Sequence, residues 1–143
     1  MDNQNKLKLE NQVCFSLYAL SREVIKLYKP LLDKHNLTYT QYIAMLVMWE
    51  EDTILFKQLG KRLHLDSGTL TPVVKKLESM GLVNKYRNKD DDRVVTVELT
   101  EKGRVLKEDV LEVPDLMYCN FKDNNKEDII MLKEYLDKIL KSL

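Results

Sequence analysis

The stretch LDSGTLTPVVKKLESMGLV, residues 65–83, decides the fold of this 143-residue chain. Asp66 and Ser67 are residue types that favour the N-cap of a helix. Apolar residues then recur every three or four positions until Gly81, a residue type typical of a helix C-terminal cap. Residues 56–63, which come just before, show the same spacing over a shorter length. Two short helices joined by a tight turn form a helix-turn-helix, so the stretch predicts one.

A charged turn between two strand-like segments follows. LVNKYRN, residues 82–88, alternates as a strand does, and VVTVEL, residues 94–99, is a β-branched run, with NKDDDR between them. A helix-turn-helix followed by a hairpin is a winged helix, so we predict a mainly α-helical fold with a small β-hairpin. The predicted parts are N-terminal dimerisation helices in residues 1–35, a winged helix-turn-helix DNA-binding domain in 36–104 and C-terminal dimerisation helices in 105–143.

The flanking segments carry apolar stripes at helical spacing. We predict a helix over residues 7–28, a new segment from Pro30, and a helix whose capping box is Thr38 with Gln41. Thr100 predicts the start of one further helix, which reaches a break at residues 123–128, and a last stripe covers residues 129–143. Stripes of this kind suit packing against a second copy, so we expect a two-fold homodimer that binds a near-palindromic operator. The alternative is that these helices complete a monomeric core.

The charge distribution points to an anionic partner. Net charge is zero, yet residues 56–104 hold 11 Lys and Arg against 7 Asp and Glu. A basic middle favours double-stranded DNA as partner. The longest apolar run, residues 42–49, is far shorter than the ~20 residues that span a bilayer. With no export signal at the start, we expect a cytoplasmic protein without a membrane partner.

The predicted recognition helix leaves polar side chains on its outer face. The DNA contacts expected from it are Ser67, Thr69, Thr71, Lys75 and Lys76. The hairpin tip adds Asp91 and Arg93, and Arg93 suits a narrow minor groove, where the negative potential is concentrated. The alternative for the tip is a solvated turn with an internal ion pair.

Several motifs together resemble the MarR family of transcriptional regulators. They are CFSLY at 14–18, YKPLLDKHNLTYTQY at 28–42, LDSGTLTP at 65–72 and Asp91-Asp92-Arg93 in the hairpin. Within that family they are most similar to the organic hydroperoxide resistance regulators (OhrR). The staphylococcal redox regulators MgrA and SarZ resemble the same overall arrangement. The resemblance extends from residue 9 to about 140. It implies a homodimeric repressor, not an enzyme, that needs no cofactor and responds to organic hydroperoxides.

The resemblance also implies a redox site. Cys14 matches the peroxide-sensing cysteine, and Tyr28 and Tyr39 match the tyrosines that hydrogen-bond its sulfur from the partner subunit. Cys119 matches the second thiol of the two-cysteine branch, with which oxidised Cys14 forms an intersubunit disulfide, although its surroundings match no motif. Tyr18, one helical turn from Cys14, adds a phenol. Phenol hydrogen bonds favour the thiolate, which is the reactive form.

Other functions remain open at this point. From pattern alone Cys14 could be packing in an apolar helix face, as most buried cysteines are. The main alternative is a MarR-type regulator that responds to a small aromatic ligand and has structural cysteines. A thiol peroxidase would need the Pro/Thr/Cys active-site run, which Cys14 lacks, and an architectural DNA protein would show little sequence preference. His35 and His64 have no ligand-like spacing, so no metal site is expected.

Overall fold

The computed structural model describes residues 2–143 and divides them into two compact units. The first ends at Leu111 and the second is Glu112–Leu143. The elements of the first unit are α1 (Val13–Asp33), α2 (Tyr39–Glu51), β1 (Thr53–Leu55), α3 (Phe56–Leu63), α4 (Ser67–Ser79), β2 (Val83–Arg87), β3 (Val95–Leu99) and α5 (Glu101–Asp109). The second unit contains α6 (Val113–Cys119) and α7 (Lys126–Ser142). No helix within residues 2–143 is long and apolar enough to cross a membrane.

The predicted helix-turn-helix is confirmed as α3 and α4. The N-cap of α4 is Asp66, whose Oδ1 accepts the backbone N–H of Thr69 at 2.7 Å. At the other end Gly81 has φ +75°, and its N–H donates to the carbonyl of Glu78 at 2.9 Å. Only glycine adopts that backbone conformation without a steric cost, so both ends of α4 are set by single residues.

Three antiparallel strands form the sheet, in the order β1-β3-β2. The predicted hairpin is confirmed, with Arg87 paired to Val95 at the end next to the turn. The strand β1 was not predicted from the sequence. It pairs with β3 through only three residues, Leu55 opposite Thr96 among them. A strand this short has no alternation by which a pattern could reveal it.

The core of the first unit lies between α2, α4 and the sheet. Leu70, Val74 and Leu77 of α4 are buried, which confirms the predicted inward stripe. The Nε1–H of Trp49 donates to the carbonyl of Gly103 at 2.8 Å, which fastens α5 to α2. Trp49 therefore holds the segment that follows the wing close to the core helix.

The predicted N-terminal helix begins too early. Residues 5–11 form two short 3-10 turns, and α1 starts only at Val13. The side-chain amide of Asn11 donates to the carbonyl of Asn5 at 2.8 Å, and that of Gln12 to Lys6 at 2.6 Å. Such bonds offer the backbone an alternative to the helix. Pro30, expected to open a new segment, instead lies inside α1 on its exposed side, where water can reach the carbonyl it leaves unpaired.

The capping box predicted before α2 is confirmed. Thr38 Oγ1 accepts the N–H of Gln41 at 3.3 Å, while the Gln41 side chain accepts the N–H of Thr38 at 3.1 Å.

The prediction of one continuous helix after the wing is wrong. The helix predicted to start at Thr100 does so, as α5, but it ends at Asp109 and α6 begins separately at Val113. Pro114 at the second position of α6 is typical of a helix start.

Candidate redox sensor and DNA-binding surface

Cys14 lies at the start of a long helix. It is the second residue of α1, and its thiol is free and exposed within one chain. Gln12, the N-cap, makes no side-chain bond to the first amides of α1, because its amide group donates to the carbonyls of Lys6 and Lys8 instead. The uncapped amides and the helix dipole favour an anion at this end of the helix.

Three tyrosines form a cluster where α1 meets α2. The ring centroids of Tyr28 and Tyr39 lie 4.7 Å apart, and Tyr42 is 5.8 Å from Tyr28 and 6.5 Å from Tyr39. Tyr39 is the first residue of α2, so the capping box at Thr38 sets its position. Tyr28 and Tyr39 are both predicted site residues, and the fold brings these two together.

All three phenols of the cluster are protonated at neutral pH. Burial, together with the nearby Tyr39 and Tyr42, raises the pKa of Tyr28 to about 12. Burial also raises the pKa of Tyr39 and of Tyr42, and Tyr39 adds to the effect on Tyr42. Every hydroxyl of the cluster therefore carries a proton that it can donate. None of the three donates to another residue within 2–143 in a hydrogen bond.

Tyr18 has a hydrogen-bond partner, Arg22, that was not predicted from the sequence. Arg22 Nη1 donates to the phenol oxygen of Tyr18 at 2.7 Å, and the guanidinium carbon lies 5.5 Å from the centre of the ring. The spacing of four residues places Arg22 one helical turn after Tyr18, as Tyr18 is one turn after Cys14. Because the phenol oxygen only accepts this bond, the O–H of Tyr18 remains free to donate.

An apolar cavity of about 230 Å³ adjoins the tyrosine cluster. Tyr28 and Tyr39 form part of its wall, and Leu32 and Leu37 are its buried apolar lining. Its volume is slightly below that of a typical drug-sized site, so it suits a small, largely apolar molecule.

Cys14 and the tyrosines are not joined within one chain. The sulfur of Cys14 accepts no hydrogen bond from any described residue, and the side chain is exposed within one chain. A sensor that uses Tyr28 and Tyr39 as donors to Cys14 must therefore take them from a second copy of the chain.

Cys119 lies at the C-terminal end of a helix, whereas Cys14 lies at an N-terminal end. It is the last residue of α6 in the second unit, and its thiol is also free and exposed. The C-terminal end of a helix disfavours an anion. The two cysteines therefore lie at opposite kinds of helix end, Cys14 at an N-terminus and Cys119 at a C-terminus.

Two long helices expose their apolar stripes. α7 has no buried residue, and α1 has only Leu32. The exposed apolar residues include Leu17, Leu20, Ile25 and Leu27 in α1, and Ile130, Met131, Tyr135, Ile139 and Leu140 in α7. Uncovered stripes of this length are typical of surfaces that pack against another chain.

The outer face of α4 is polar and exposed. The predicted contact residues on it are all exposed: Ser67, Thr69, Thr71, Lys75 and Lys76. Thr71 donates its hydroxyl proton to the carbonyl of Ser67 at 2.6 Å, so its oxygen can only accept a further hydrogen bond. Hydrogen bonds from Thr69 and Gly68 lower the pKa of Asp66, which stays ionised at the N-terminus of this helix.

The wing tip contains a paired aspartate and arginine. Arg93 Nε and Nη2 donate to the two carboxylate oxygens of Asp91 at 3.0 and 3.2 Å, and the Arg93 backbone N–H also donates to Asp91. These bonds lower the pKa of Asp91. The Arg93 side chain nevertheless remains 91% exposed. Arg93 thus forms an ion pair with Asp91 and still exposes most of its side chain to solvent.

Comparison with known proteins gives close relatives over the whole chain. A family model described as transcriptional regulator SarA/Rot matches residues 26–110. The organic hydroperoxide resistance transcriptional regulator of Bacillus subtilis is 47% identical over 144 residues, which is 100% of this chain and 97% of that protein. Among solved structures, reduced AbfR of Staphylococcus epidermidis bound to DNA matches with TM-score 0.79 and 34% identity, covering 97% of this chain and 96% of AbfR. Its disulfide form matches with TM-score 0.65 and 32% identity, covering 96% of each chain.

Proposed function

The chain belongs to the MarR family of transcriptional regulators, in the group of the organic hydroperoxide resistance regulators, and we propose that it is a redox-sensing repressor. In this proposal a homodimer binds a near-palindromic operator in double-stranded DNA while Cys14 is reduced, and it leaves the operator once Cys14 is oxidised. The observation that carries the proposal is the position of Cys14, exposed at an uncapped helix N-terminus in a chain that also holds a cluster of protonated phenols.

The first chemical step is oxidation of Cys14 by an organic hydroperoxide. The thiolate attacks the outer peroxide oxygen, the O–O bond breaks, and the alkoxide leaves as an alcohol after taking up a proton. The product is a sulfenic acid. Before the reaction, the hydroxyls of the partner's Tyr28 and the partner's Tyr39 donate to the sulfur and stabilise its negative charge. The apolar cavity beside them accommodates the alkyl group of the oxidant.

The second step closes a disulfide with Cys119 of the partner subunit. Its thiol attacks the sulfenic sulfur, the S–O bond breaks, and water leaves with the thiol proton. In this proposal Cys14, at the start of α1, is oxidised first, and Cys119, at the end of α6, supplies the second thiol. A dithiol reductant of the thioredoxin type would restore both thiols.

Release from DNA follows from a change in chain conformation. A disulfide requires Cα atoms within about 7 Å, so its closure constrains the elements that carry the two cysteines. The match of this chain to the reduced, DNA-bound form of AbfR is closer than to the disulfide form, with TM-scores of 0.79 and 0.65. The overoxidised form of AbfR, also bound to DNA, matches with the same TM-score of 0.79. These likenesses therefore support release through closure of the disulfide and not through oxidation of the thiol alone.

The DNA contacts in this proposal come from two surfaces. α4 enters the major groove, where Ser67, Thr69 and Thr71 approach base edges and Lys75 and Lys76 approach phosphates. In the wing, Asp91 orients Arg93 toward the minor groove. All of these side chains except the half-buried Asp91 are exposed, which supports their availability to DNA.

A ligand-controlled regulator is the second candidate, and the cavity beside Tyr28 and Tyr39 is the observation that favours it. In that case a small aromatic molecule would bind there and shift the operator affinity, and the cysteines would have no role in the response.

One experiment separates the two candidates. Purified protein is treated with cumene hydroperoxide, and DNA binding and a non-reducing gel are read in parallel for wild type, Cys14→Ser and Cys119→Ser. The redox proposal expects release of DNA and a disulfide-linked dimer for wild type only. Cys119→Ser should still be oxidised at Cys14, as mass spectrometry would show. If Cys14→Ser releases DNA as wild type does, the redox proposal fails.

A further inference from the structure

Residues 88–93, which join β2 to the half-buried Val94, include no apolar side chain. Residues 88–93 are exposed except for Asp91, which is half-buried. Burial therefore contributes little to their shape, and a loop of this kind samples many conformations unless hydrogen bonds hold it. An arginine at the tip of such a loop would not be held in a position from which it could enter a DNA groove.

Hydrogen bonds from two residues at the base of the loop hold it. Asn88 Oδ1 accepts the backbone N–H of Asp90 at 2.8 Å, which closes a turn. Arg87 Nη1 reaches across the loop and donates to the carbonyl of Asp92 at 2.6 Å. The backbone N–H of Asn88 also donates to Val94 at 2.8 Å. The two side chains thus fix the residues on either side of Asp91.

We propose that Arg87 and Asn88 are positioning residues of the wing, which act on DNA binding through Arg93. They fold the loop so that Asp91 meets Arg93, and the pair then presents the guanidinium outward. This inference rests on the proposed DNA-binding function and extends it to two residues outside the Asp91–Arg93 pair.

Two simpler roles make different predictions. Arg87 could contact a phosphate directly, in which case its loss would add to that of Arg93. Asn88 could stabilise the hairpin alone, in which case its loss would lower the unfolding temperature without affecting DNA binding. A positioning role predicts instead that the losses are not additive, because Arg87 and Asn88 have nothing to position once Arg93 is gone.

A double-mutant cycle tests the proposal. The probe is the DNA duplex that wild-type protein selects from a randomised pool, and affinity is measured by fluorescence anisotropy at fixed salt. We expect Asn88→Ala and Arg87→Ala each to weaken binding by between about 3-fold and 30-fold. In an Arg93→Ala background the same substitutions should change affinity by less than about 2-fold.

Asn88→Ser is the matched variant, because a serine hydroxyl can also accept the amide of residue 90. It should recover most of the affinity lost in Asn88→Ala, with unfolding temperatures measured alongside. Equal losses in the wild-type and Arg93→Ala backgrounds would overturn the positioning role, as would full affinity in Asn88→Ala and Arg87→Ala. If Arg93→Ala binds as wild type does, the inference fails while the DNA-binding function stands. If wild type selects no duplex, the proposed function itself fails.

Discussion

The rings of Tyr28 in α1 and Tyr39 in α2 lie 4.7 Å apart between centroids, tilted by 42°. This contact joins α1, whose second residue is Cys14, to the first turn of α2, the helix that supports the DNA-binding elements. In the proposed dimer, the same two phenols donate to the partner's sulfur. In that dimer, oxidation of the sulfur would therefore change its hydrogen bonds to the tyrosines and alter the contact between α1 and α2. This contact connects the oxidation to the rest of the first unit.

Tyr28 should be the last phenol of the cluster to ionise. Its pKa is about 12 in the folded chain against an ordinary value of 10.0. The unfolded chain therefore releases this proton first, so the stability linked to Tyr28 is fully present below pH 10 and is lost as the pH rises toward 12. An ultraviolet titration of tyrosinate should show a late-ionising group that disappears in Tyr28→Phe.

Tyr135→Phe is the matched control, because it removes an exposed phenol and keeps the cluster. Loss of the late group in that variant, or its persistence in Tyr28→Phe, would show that the cluster is not packed as described.

The capping box should couple helix stability to the sensor. Thr38→Ala removes the acceptor for the N–H of Gln41 and should lower the free energy of unfolding by ~1 kcal/mol. Because Tyr39 follows directly, the same change should slow oxidation of Cys14 in the dimer. Chemical denaturation and the rate of peroxide consumption by the thiol measure the two effects. Thr38→Ser retains an acceptor hydroxyl and should behave nearly as wild type. If Thr38→Ala oxidises at the wild-type rate, Tyr39 is not a donor in the sensor.

Local signals in the sequence predicted the helix-turn-helix well. Asp66 and Gly81 set the two ends of α4 with neighbours inside the same helix, so no distant contact was needed to find them. The strand β1 could not be predicted, because its three residues are strand only through pairing with β3, far along the chain. The break between Asp109 and Val113 was missed for a similar reason, although Pro114 was an available signal.

The sequence did not predict where Cys14 lies in its helix. Resemblance singled out Cys14, but the predicted helix began at residue 7 and so placed this thiol well inside it. The side chains of Asn11 and Gln12 end the 3-10 turns and shift the helix start to Val13, which moves Cys14 to the N-terminal end. Arg22 could have been found from its spacing of four residues to Tyr18 on a helix.

Gly103 should not tolerate a side chain. A Cβ there would lie 2.4 Å from the backbone oxygen of Leu82 and 2.6 Å from Leu99 Cδ1. Gly103→Ala should therefore destabilise the first unit by about 1–3 kcal/mol, since crowding of this kind forces the backbone to shift. Gly68→Ala is the matched comparison, because its Cβ would meet only Asp66 Oδ1 at 3.4 Å. Alanine at that helical position should be neutral or slightly stabilising. Equal unfolding free energies for wild type and Gly103→Ala would contradict the close approach of α5 to Leu82.

Asp66 should limit binding to non-specific DNA. Its carboxylate accepts the N–H of Thr69 at 2.7 Å, so the N-terminal end of α4, which would otherwise attract a phosphate, already carries an anion. Asp66→Asn keeps an oxygen that can cap the helix and removes the charge. It should raise affinity for a random-sequence duplex by several-fold, make the salt dependence steeper by up to ~0.9 in the log–log slope, and reduce the ratio of specific to non-specific affinity.

Asp109→Asn removes the same charge from the end of α5, away from α4 in sequence, and controls for net charge. The two variants should differ in both affinity and slope, measured by anisotropy over a series of salt concentrations with unfolding temperatures checked for each. If they shift non-specific binding equally, the charge of Asp66 acts only through the overall field of the protein. If Asp66→Asn binds random duplex as wild type does, the N-terminus of α4 does not approach the DNA backbone, and the orientation proposed for the recognition helix is wrong.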